Sequence, residues 1–420
     1  MRILYISRAA PNENGRGVDR RAAQHLRALR RLGTVTLVVP DRSVEEARAI
    51  GWHEDSLDVE SLIVRPDATV IQRRLERYYL ERGRLKRLWH ASRITHWVDQ
   101  RPFAADARAA KAALTGRFDL LFAFRMSSAV WAEHVLKADL PAARVVDFDD
   151  IESLALSRSK QAGNFIDRAI RRRAIKWLAT TEKRILRQWP TVTVCSEVDA
   201  ERLLSTSGHR PSVIPNTVKT ELHPTAKERR VHSHGSDADV NVLFVATLNY
   251  LPNIEGLMWF CDHIWPQVAA HFAGGLKLCI VGIDAPEEVR RLGERPGVEF
   301  IGAVPNLQPY YQNAVAAIVP ILSGSGTRIK ILEAMSFGVP VVTTAIGCEG
   351  IGLTPGVDAL VHDDAAGFQK GLIDLIEDQD LQLTLGQQGQ RFCNAHFGEG
   401  AAFKATQKAV LDTLDRPSAS

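Results

Sequence analysis

Short, continuous apolar runs alternate with segments of helical periodicity along this chain, in two series separated by one polar stretch. That alternation calls for an α/β fold, because strands that are apolar throughout must be covered on both faces, as in parallel sheets flanked by helices. The first series opens with Ile3–Ser7 as a strand, followed by a polar loop containing Asn12, Asn14, Gly15 and Gly17. Ala22, Leu26 and Leu29 recur at i, i+4 and i+7, which predicts a helix over Asp19–Leu32 stopped by Gly33. Thr34–Val39, Leu62–Val64, Leu120–Phe124, Val145–Phe148 and Val192–Cys195 read as further strands. The second series starts at Asn241, with strands at Val242–Ala246, Leu276–Val281, Val298–Ile301, Ala316–Pro320, Pro340–Thr343 and Leu360–His362. Its helices are expected at Leu257–Val268, at Arg328–Phe337, around Phe368, Leu372, Leu375 and Ile376, and finally around Phe403, Val410 and Leu414. Between the series, Glu221–Asp239 has almost no apolar residues and reads as a linker. The expected organisation is residues 1–218, a linker at 219–240, a second domain at 241–395, and a C-terminal helix and tail at 396–420 crossing back to the first domain. Two open parallel sheets in tandem lead one to expect two Rossmann-like domains whose strand ends face a cleft.

A chain of 420 residues exceeds one ordinary core, which agrees with two domains. With 45% apolar and 24% charged residues it is core-forming, and 53 Lys and Arg against 49 Asp and Glu leave +4. That balance argues against a nucleic-acid coating protein and suits an anionic substrate or membrane surface. Cys195, Cys261, Cys279, Cys348 and Cys393 are scattered without a C-x-x-C pair, which fits a reducing compartment. The start, Met1–Arg8, reads as a strand and not a signal peptide, and no apolar run approaches the ~18 residues needed to span a bilayer. The expected location is cytoplasmic, with association to the inner face of the plasma membrane.

The most informative segment runs from Pro320 to Pro340. A buried strand ends, Ser323, Gly324, Ser325 and Gly326 follow, and a helix opens. Small residues admit close approach of a ligand to the backbone, and a helix start attracts an anion. Arg328 and Lys330 add cationic donors suited to phosphate, and Glu333 stands one turn further in, where a carboxylate accepts ribose hydroxyls. The spacing is neither that of a Walker loop nor that of a nucleophile elbow. A plain turn with Lys330 and Glu333 as an i, i+3 surface pair is the competing reading.

Gly324-Ser-Gly326 with Glu333-Ala-Met-Ser-Phe-Gly-Val-Pro-Val-Val342 resembles the signature of the family-4 retaining glycosyltransferases, which have the two-Rossmann GT-B fold. Val213-Ile-Pro-Asn-Thr-Val218, Val194-Cys-Ser-Glu197, the Pro11–Gly17 loop and Leu278-Cys-Ile-Val-Gly282 extend the likeness over nearly the whole chain. A subset linked to polysaccharide export shares the Pro-Asn and Arg-x-Lys pieces. The resemblance implies transfer of a sugar from a nucleotide-diphosphate donor to a glycan or lipid-linked glycan, with retention and with no metal or other cofactor. It implies donor contacts from Gly15, Gly17, Thr247, Asn249, Ser323, Gly324, Ser325, Gly326, Thr327, Glu333 and Glu349, the last in the Gly347–Gly350 turn. Charge stabilisation would fall to Arg328 and Lys330. Two departures stand out. The family often has two glutamates eight positions apart, and the first position here is Ser325. The Arg and Lys that many members carry after the first strand of the second domain are missing from Ala246–Asn253. Arg328 and Lys330 are expected to replace that charge. A non-catalytic binding relative and a nucleotide-sugar epimerase of similar fold remain as alternatives.

Asp147-Phe-Asp-Asp-Ile-Glu152 follows a strand. Asp149 and Asp150 are candidates for catalytic or acceptor-binding work, with helix capping and metal binding as competing readings. Two basic stretches, Arg73–Arg93 and Arg168–Arg187, carry interleaved Tyr and Trp; contact with anionic lipid and a solvated face are both open. No nucleic-acid partner is expected. The histidines show no metal spacing, and His232 and His234 sit in the polar linker.

Overall fold

The computed structural model describes residues 1–13, 15–40, 59, 61–64, 104–158, 165–218, 240–273, 275–324 and 326–416. The predicted linker, the Arg73–Arg93 stretch, Asn14 and Ser325 lie outside the described residues. The chain divides into two compact units. Unit 1 is Met1–Ile214 with Ala402–Ser420, and unit 2 is Pro215–Ala401.

Unit 1 holds β1 (Arg2–Ser7), α1 (Gly17–Arg30), β2 (Thr34–Val39), β3 (Ser61–Val64), α2 (Ala104–Ala113), β4 (Leu120–Phe124), α3 (Met126–Leu136), β5 (Arg144–Asp147), α4 (Glu152–Arg158), α5 (Phe165–Gln188), β6 (Thr191–Val194), α6 (Glu197–Ser207) and β7 (Ser212–Val213). Its seven-stranded sheet is parallel, in the order β3-β2-β1-β4-β5-β6-β7. Side chains alternate across a strand, so β1 feeds two cores. Leu4 and Ile6 pack with α3, α5 and α6, whereas Ile3 and Tyr5 pack with α1 and with Ala402, Ala409 and Val410 of the last helix. That last helix, Glu399–Leu414, therefore completes the first unit's core, as expected. Thr413 Oγ1 meets Thr191 Oγ1 at 2.7 Å, and the Arg31 guanidinium lies 5.0 Å from the Phe403 ring centroid.

Unit 2 holds β8 (Val240–Thr247), α7 (Leu251–His263), α8 (Trp265–His271), β9 (Leu276–Ile283), α9 (Glu287–Arg290), β10 (Val298–Gly302), α10 (Gln308–Asn313), β11 (Ala314–Val319), α11 (Ile329–Ser336), β12 (Val341–Thr343), β13 (Leu360–Val361), α12 (Ala365–Glu377) and α13 (Gln379–Phe397). Its six strands are parallel, in the order β10-β9-β8-β11-β12-β13. Val242, Phe244, Leu278 and Ile280 face α7, α8 and α12, and Leu243, Cys279 and Val281 face α11 and α13. The single helix expected at Leu257–Val268 is instead two, broken at Ile264. Pro266 lacks an N–H and its ring obstructs the preceding turn, so one continuous helix is unfavourable. In each sheet the strand order reverses once: between β1 and β4 in unit 1, and between β8 and β11 in unit 2. Crevices outside the strand ends at such switch points are where ligands bind in open α/β sheets.

Candidate functional site

In unit 2 the switch point is built by two helix starts. β11 ends at Val319 and the chain turns through Gly324 (φ 102°) and Gly326 (φ 79°) into α11. Those angles suit glycine because a Cβ would clash there. α7 begins after Tyr250 with Pro252 in its first turn, where a missing N–H costs nothing. It lies so close to the end of β11 that a Cβ on Gly256 would sit 2.1 Å from the Pro320 carbonyl oxygen.

The cations of α11 divide their work. Arg328 folds back on its own loop, with Nη1 donating to the Gly326 carbonyl at 2.7 Å and Nη2 to the Ser323 carbonyl at 3.5 Å. Lys330 reaches across to α7, where Nζ donates to Asn253 Oδ1 at 2.6 Å. Nζ also lies 5.2 Å from the Phe244 ring centroid, within cation–π range. Asn253 is itself fixed by donating from Nδ2 to the Thr247 carbonyl at 2.8 Å. The bond to Asn253 ties Lys330 to α7, a contact that the plain i, i+3 surface pair does not include. Burial brings the Lys330 ammonium down to about 7, Arg328 pushes the same way and Glu333 opposes them. An arriving anion would restore its charge.

Ser323 is buried and donates from Oγ to Glu255 Oε2 at 3.0 Å. Thr327 and Glu333 are half-buried beside the helix start, and Asn249 is exposed just ahead of α7. The Gly347–Gly350 turn is tied to the same strand end. Thr343 Oγ1 donates to the Val319 carbonyl at 2.8 Å, Thr344 Oγ1 to that of Ile321, and Gly347 N to Thr344 Oγ1 at 2.9 Å. Glu349, half-buried, is thereby placed at the edge that carries the glycine loop. Ser325 lies outside the described residues.

The corresponding edge of unit 1 is acidic. Arg21 donates from Nε to Asp147 Oδ1 at 2.9 Å, and from Nη2 to Asp147 Oδ2 at 2.7 Å and the Ile214 carbonyl at 2.9 Å. Thr193 Oγ1 adds a bond to Asp147 Oδ2 at 2.6 Å. Burial works against charge on both partners. Arg21, helped by His25, nonetheless holds the Asp147 carboxyl well below the usual range, and Asp147 in turn keeps the Arg21 guanidinium firmly protonated. Burial lowers the pKa of His25, whose Nε2 lies 3.5 Å from Asp147 Oδ1.

Asp149 sits 3.6 Å from Arg21 Nε and 3.9 Å from Arg125 Nε. Burial pushes its carboxyl up to about 7, against the pull of Arg125 and with Asp150 adding to the rise. Burial also raises Glu152, whose Oε1 is 3.5 Å from Arg125 Nη2 and whose buried Oε2 has no hydrogen-bond partner among the described residues. Arg125 (φ 71°) and Asp149 (φ 60°) both occupy the left-handed half of backbone space, and such strain clusters at functional sites. Helix α4 starts at Glu152, so Ile151 holds the cap position and Asp149 turns to the two arginines instead. Asp150 is half-buried beside it. Among the described residues no group of three or more His, Cys, Asp or Glu is arranged to hold a metal ion. Gly17 opens α1 one turn before Arg21, with Gly15 ahead of the Arg16 cap, so both belong to the edge that Asp147 anchors.

The structure thus groups Ser323, Gly324, Gly326, Thr327, Arg328, Lys330 and Glu333 in unit 2, with Thr247 joined through Asn253. It groups Asp149 and Asp150 in unit 1. Sequence reasoning missed Asn253 and Glu255, whose partners are 77 and 68 residues away, and Arg21 and Arg125. Of these only Arg125, directly after a buried strand and before a helix, carried a local signal.

Residues 239–378 match the family described as "Glycosyl transferases group 1". An uncharacterized 44.6 kDa protein of the cps region of Klebsiella pneumoniae is 31% identical over 141 residues, spanning 32% of this chain and 36% of that protein. The sucrose-phosphate synthase structure from Thermosynechococcus elongatus covers 97% of this chain and 98% of its own, at 20% identity and a TM-score of 0.67. Anabaena HepE in complex with UDP and glucose covers 97% and 98%, at 15% identity and a TM-score of 0.61. A glycosyltransferase from Rickettsia africae covers 99% of each chain, at 13% identity and a TM-score of 0.61. The fold is shared with these GT-B proteins.

Proposed function

We propose that the chain is a retaining glycosyltransferase that moves a sugar from a nucleotide-diphosphate donor, held on unit 2, to a hydroxyl of a glycan or lipid-linked glycan in cell-surface polysaccharide synthesis on the cytoplasmic side of the membrane. One observation carries this reading. At the β8/β11 switch point a half-buried lysine bridges two helix starts, Lys330 Nζ to Asn253 Oδ1 at 2.6 Å, beside Arg328 and a glycine loop. The match of residues 239–378 to the glycosyl transferase family supports it, as does the HepE complex, which holds UDP and glucose in a similar fold.

In transfer, the bond from the sugar's anomeric carbon to the β-phosphate oxygen breaks and its electron pair stays with the phosphate. The acceptor oxygen bonds to that carbon on the departing face, which retains configuration, and loses its proton. Charge therefore gathers on the β-phosphate, and donors already aimed at it lower the barrier most. Arg328, Lys330 and the start of α11 fill that role, so the proposal calls on no metal. Ser323, Gly324, Ser325, Gly326 and Thr327 would line the diphosphate, Glu333 would hold the ribose, and Thr247, Asn249 and Glu349 would contact the donor further out. Asp149 and Asp150 would orient or deprotonate the acceptor hydroxyl.

A thermal-shift panel of UDP, GDP, ADP and dTDP sugars, followed by mass detection of products, tests the reading. One nucleotide class should raise Tm by mass action, and Arg328→Ala and Lys330→Ala should raise donor KM. No shift with any donor, or unchanged KM in both variants, rejects it. Binding without turnover would mark a non-catalytic relative. Conversion of the sugar without acceptor would mark an epimerase.

A further inference from the structure

Helix α5 carries eight cationic side chains, and two of them are used internally. Arg184 Nη1 donates to Glu133 Oε2 at 2.7 Å, and Arg171 Nη2 donates to the Leu156 carbonyl. The other six, Arg168, Arg172, Arg173, Lys176, Lys183 and Arg187, are all exposed. None of these six side chains has an ion-pair or hydrogen-bond partner among the described residues. At about 100° per residue they fall within one arc of about 140°, and they extend over roughly 28 Å of helix. Ala174, Leu178 and Ile185 are buried on the opposite side. The helix has two acids, and neither falls in the cationic arc. Glu182 is buried, accepting from Ser153 N at 2.9 Å and Ser153 Oγ at 2.6 Å.

The tryptophans that look interleaved with these charges in the sequence belong to the core. Trp177 packs against it, and Trp189 is 4% exposed with Nε1 donating to Glu133 Oε1 at 2.9 Å. Among the described residues from Arg168 to Arg187, what remains outside is a stripe of charge with no exposed large apolar or aromatic side chain.

We infer that this stripe docks unit 1 on an anionic lipid surface, by charge alone. Six like charges with no partner among the described residues, held on one helix face, repel one another unless opposite charge meets them. A straight, convex row presents all six to a plane at once. Single-stranded nucleic acid is gripped instead by grooves with stacking aromatics, which the stripe lacks. Each cation near an anionic leaflet strengthens partition about fivefold, and the attraction is confined to a Debye length. This surface is independent of what unit 2 binds.

Sedimentation of the full chain with large vesicles tests the inference, using phosphatidylcholine alone or with phosphatidylglycerol, at 50 mM and 500 mM NaCl. The chain should pellet with the anionic vesicles at low salt only. R172Q/R173Q/K176Q should weaken binding about a hundredfold, as should R168Q/K183Q/R187Q, while K111Q/R291Q should not. Circular dichroism checks that each variant is folded, and donor turnover in solution should be unchanged. Any of three results overturns the proposal: no binding at low salt, wild-type binding by both triple variants, or tighter binding to oligonucleotides than to vesicles.

Discussion

At the β4/β5 end of unit 1, a carboxylate lies fully buried under an arginine, and two residues beyond it another carboxyl is held in a strained turn. At the β8/β11 end of unit 2, small residues surround a lysine and an arginine instead. Both edges are built on the same parallel topology, so the difference lies in what the loops put at the strand ends. The acidic edge is locked by a bidentate ion pair and a threonine, whereas at the cationic edge Arg328 bonds to backbone carbonyls and Lys330 to one neutral asparagine. A carboxylate paired with an arginine suits a framework, and a lysine paired with a neutral amide suits a group that must exchange partners with an anionic ligand. The titrating groups differ in kind as well. Asp149 gains negative charge as pH rises through about 7, and Lys330 loses positive charge over the same range.

The largest expected effect breaks the lock. Arg21→Met leaves Asp147 buried without its partner and should cost unit 1 about 3–5 kcal/mol, read as an earlier urea transition. A wild-type midpoint would mean that the pair is not structural. Next comes the cationic edge. Lys330→Met should weaken UDP, GDP, ADP or dTDP binding, whichever the chain prefers, by roughly 10–100-fold in calorimetry, the loss of one charge-assisted bond. Asp149→Asn should leave that affinity within about twofold, and an equal loss in both variants would erase the contrast.

The pH response sharpens it further. A bound diphosphate favours the charged lysine, so nucleotide affinity should fall as pH rises above about 7, by up to ~10-fold per unit, and Lys330→Met should flatten the curve. Stability should show the opposite slopes. Lys330 is depressed in the folded state, so its contribution rises with pH from about 7 towards the ordinary lysine value. Asp149 is raised, so its contribution is present at low pH and lost as pH climbs from the ordinary carboxyl value through about 7. Smallest is Glu255→Gln, which should raise donor KM about fivefold through the Ser323 contact and leave Tm nearly unchanged. A large loss of Tm would make Glu255 a purely structural group.

Where a residue's role follows from its neighbours in the chain, the sequence was readable. Leu120–Phe124 is apolar throughout and forms a strand buried on both faces, and Gly324 and Gly326 mark the turn into α11. Pro252 in the first turn of α7 was also a start signal, although the helix was expected six residues later. Contacts that join distant segments were not readable. Arg21 lies in an amphipathic helix beside other arginines, and only the fold shows that it is turned inward to a carboxylate 126 residues away. The same holds for Lys330 and Asn253. The basic stretch of α5 shows the limit from the other side, since its cations were visible but the inward direction of Trp177 and Trp189 was not.

Unit 1 is interrupted in the sequence by the whole of unit 2, and its core is closed by Ala402, Ala409 and Val410. During synthesis the ribosome therefore delivers all of unit 2 before the segment that seals Ile3, Tyr5 and Phe122 from water. Until then that side of the earlier-made sheet has α1 over it but lacks the last helix, which makes the nascent first half a natural client for a holding chaperone.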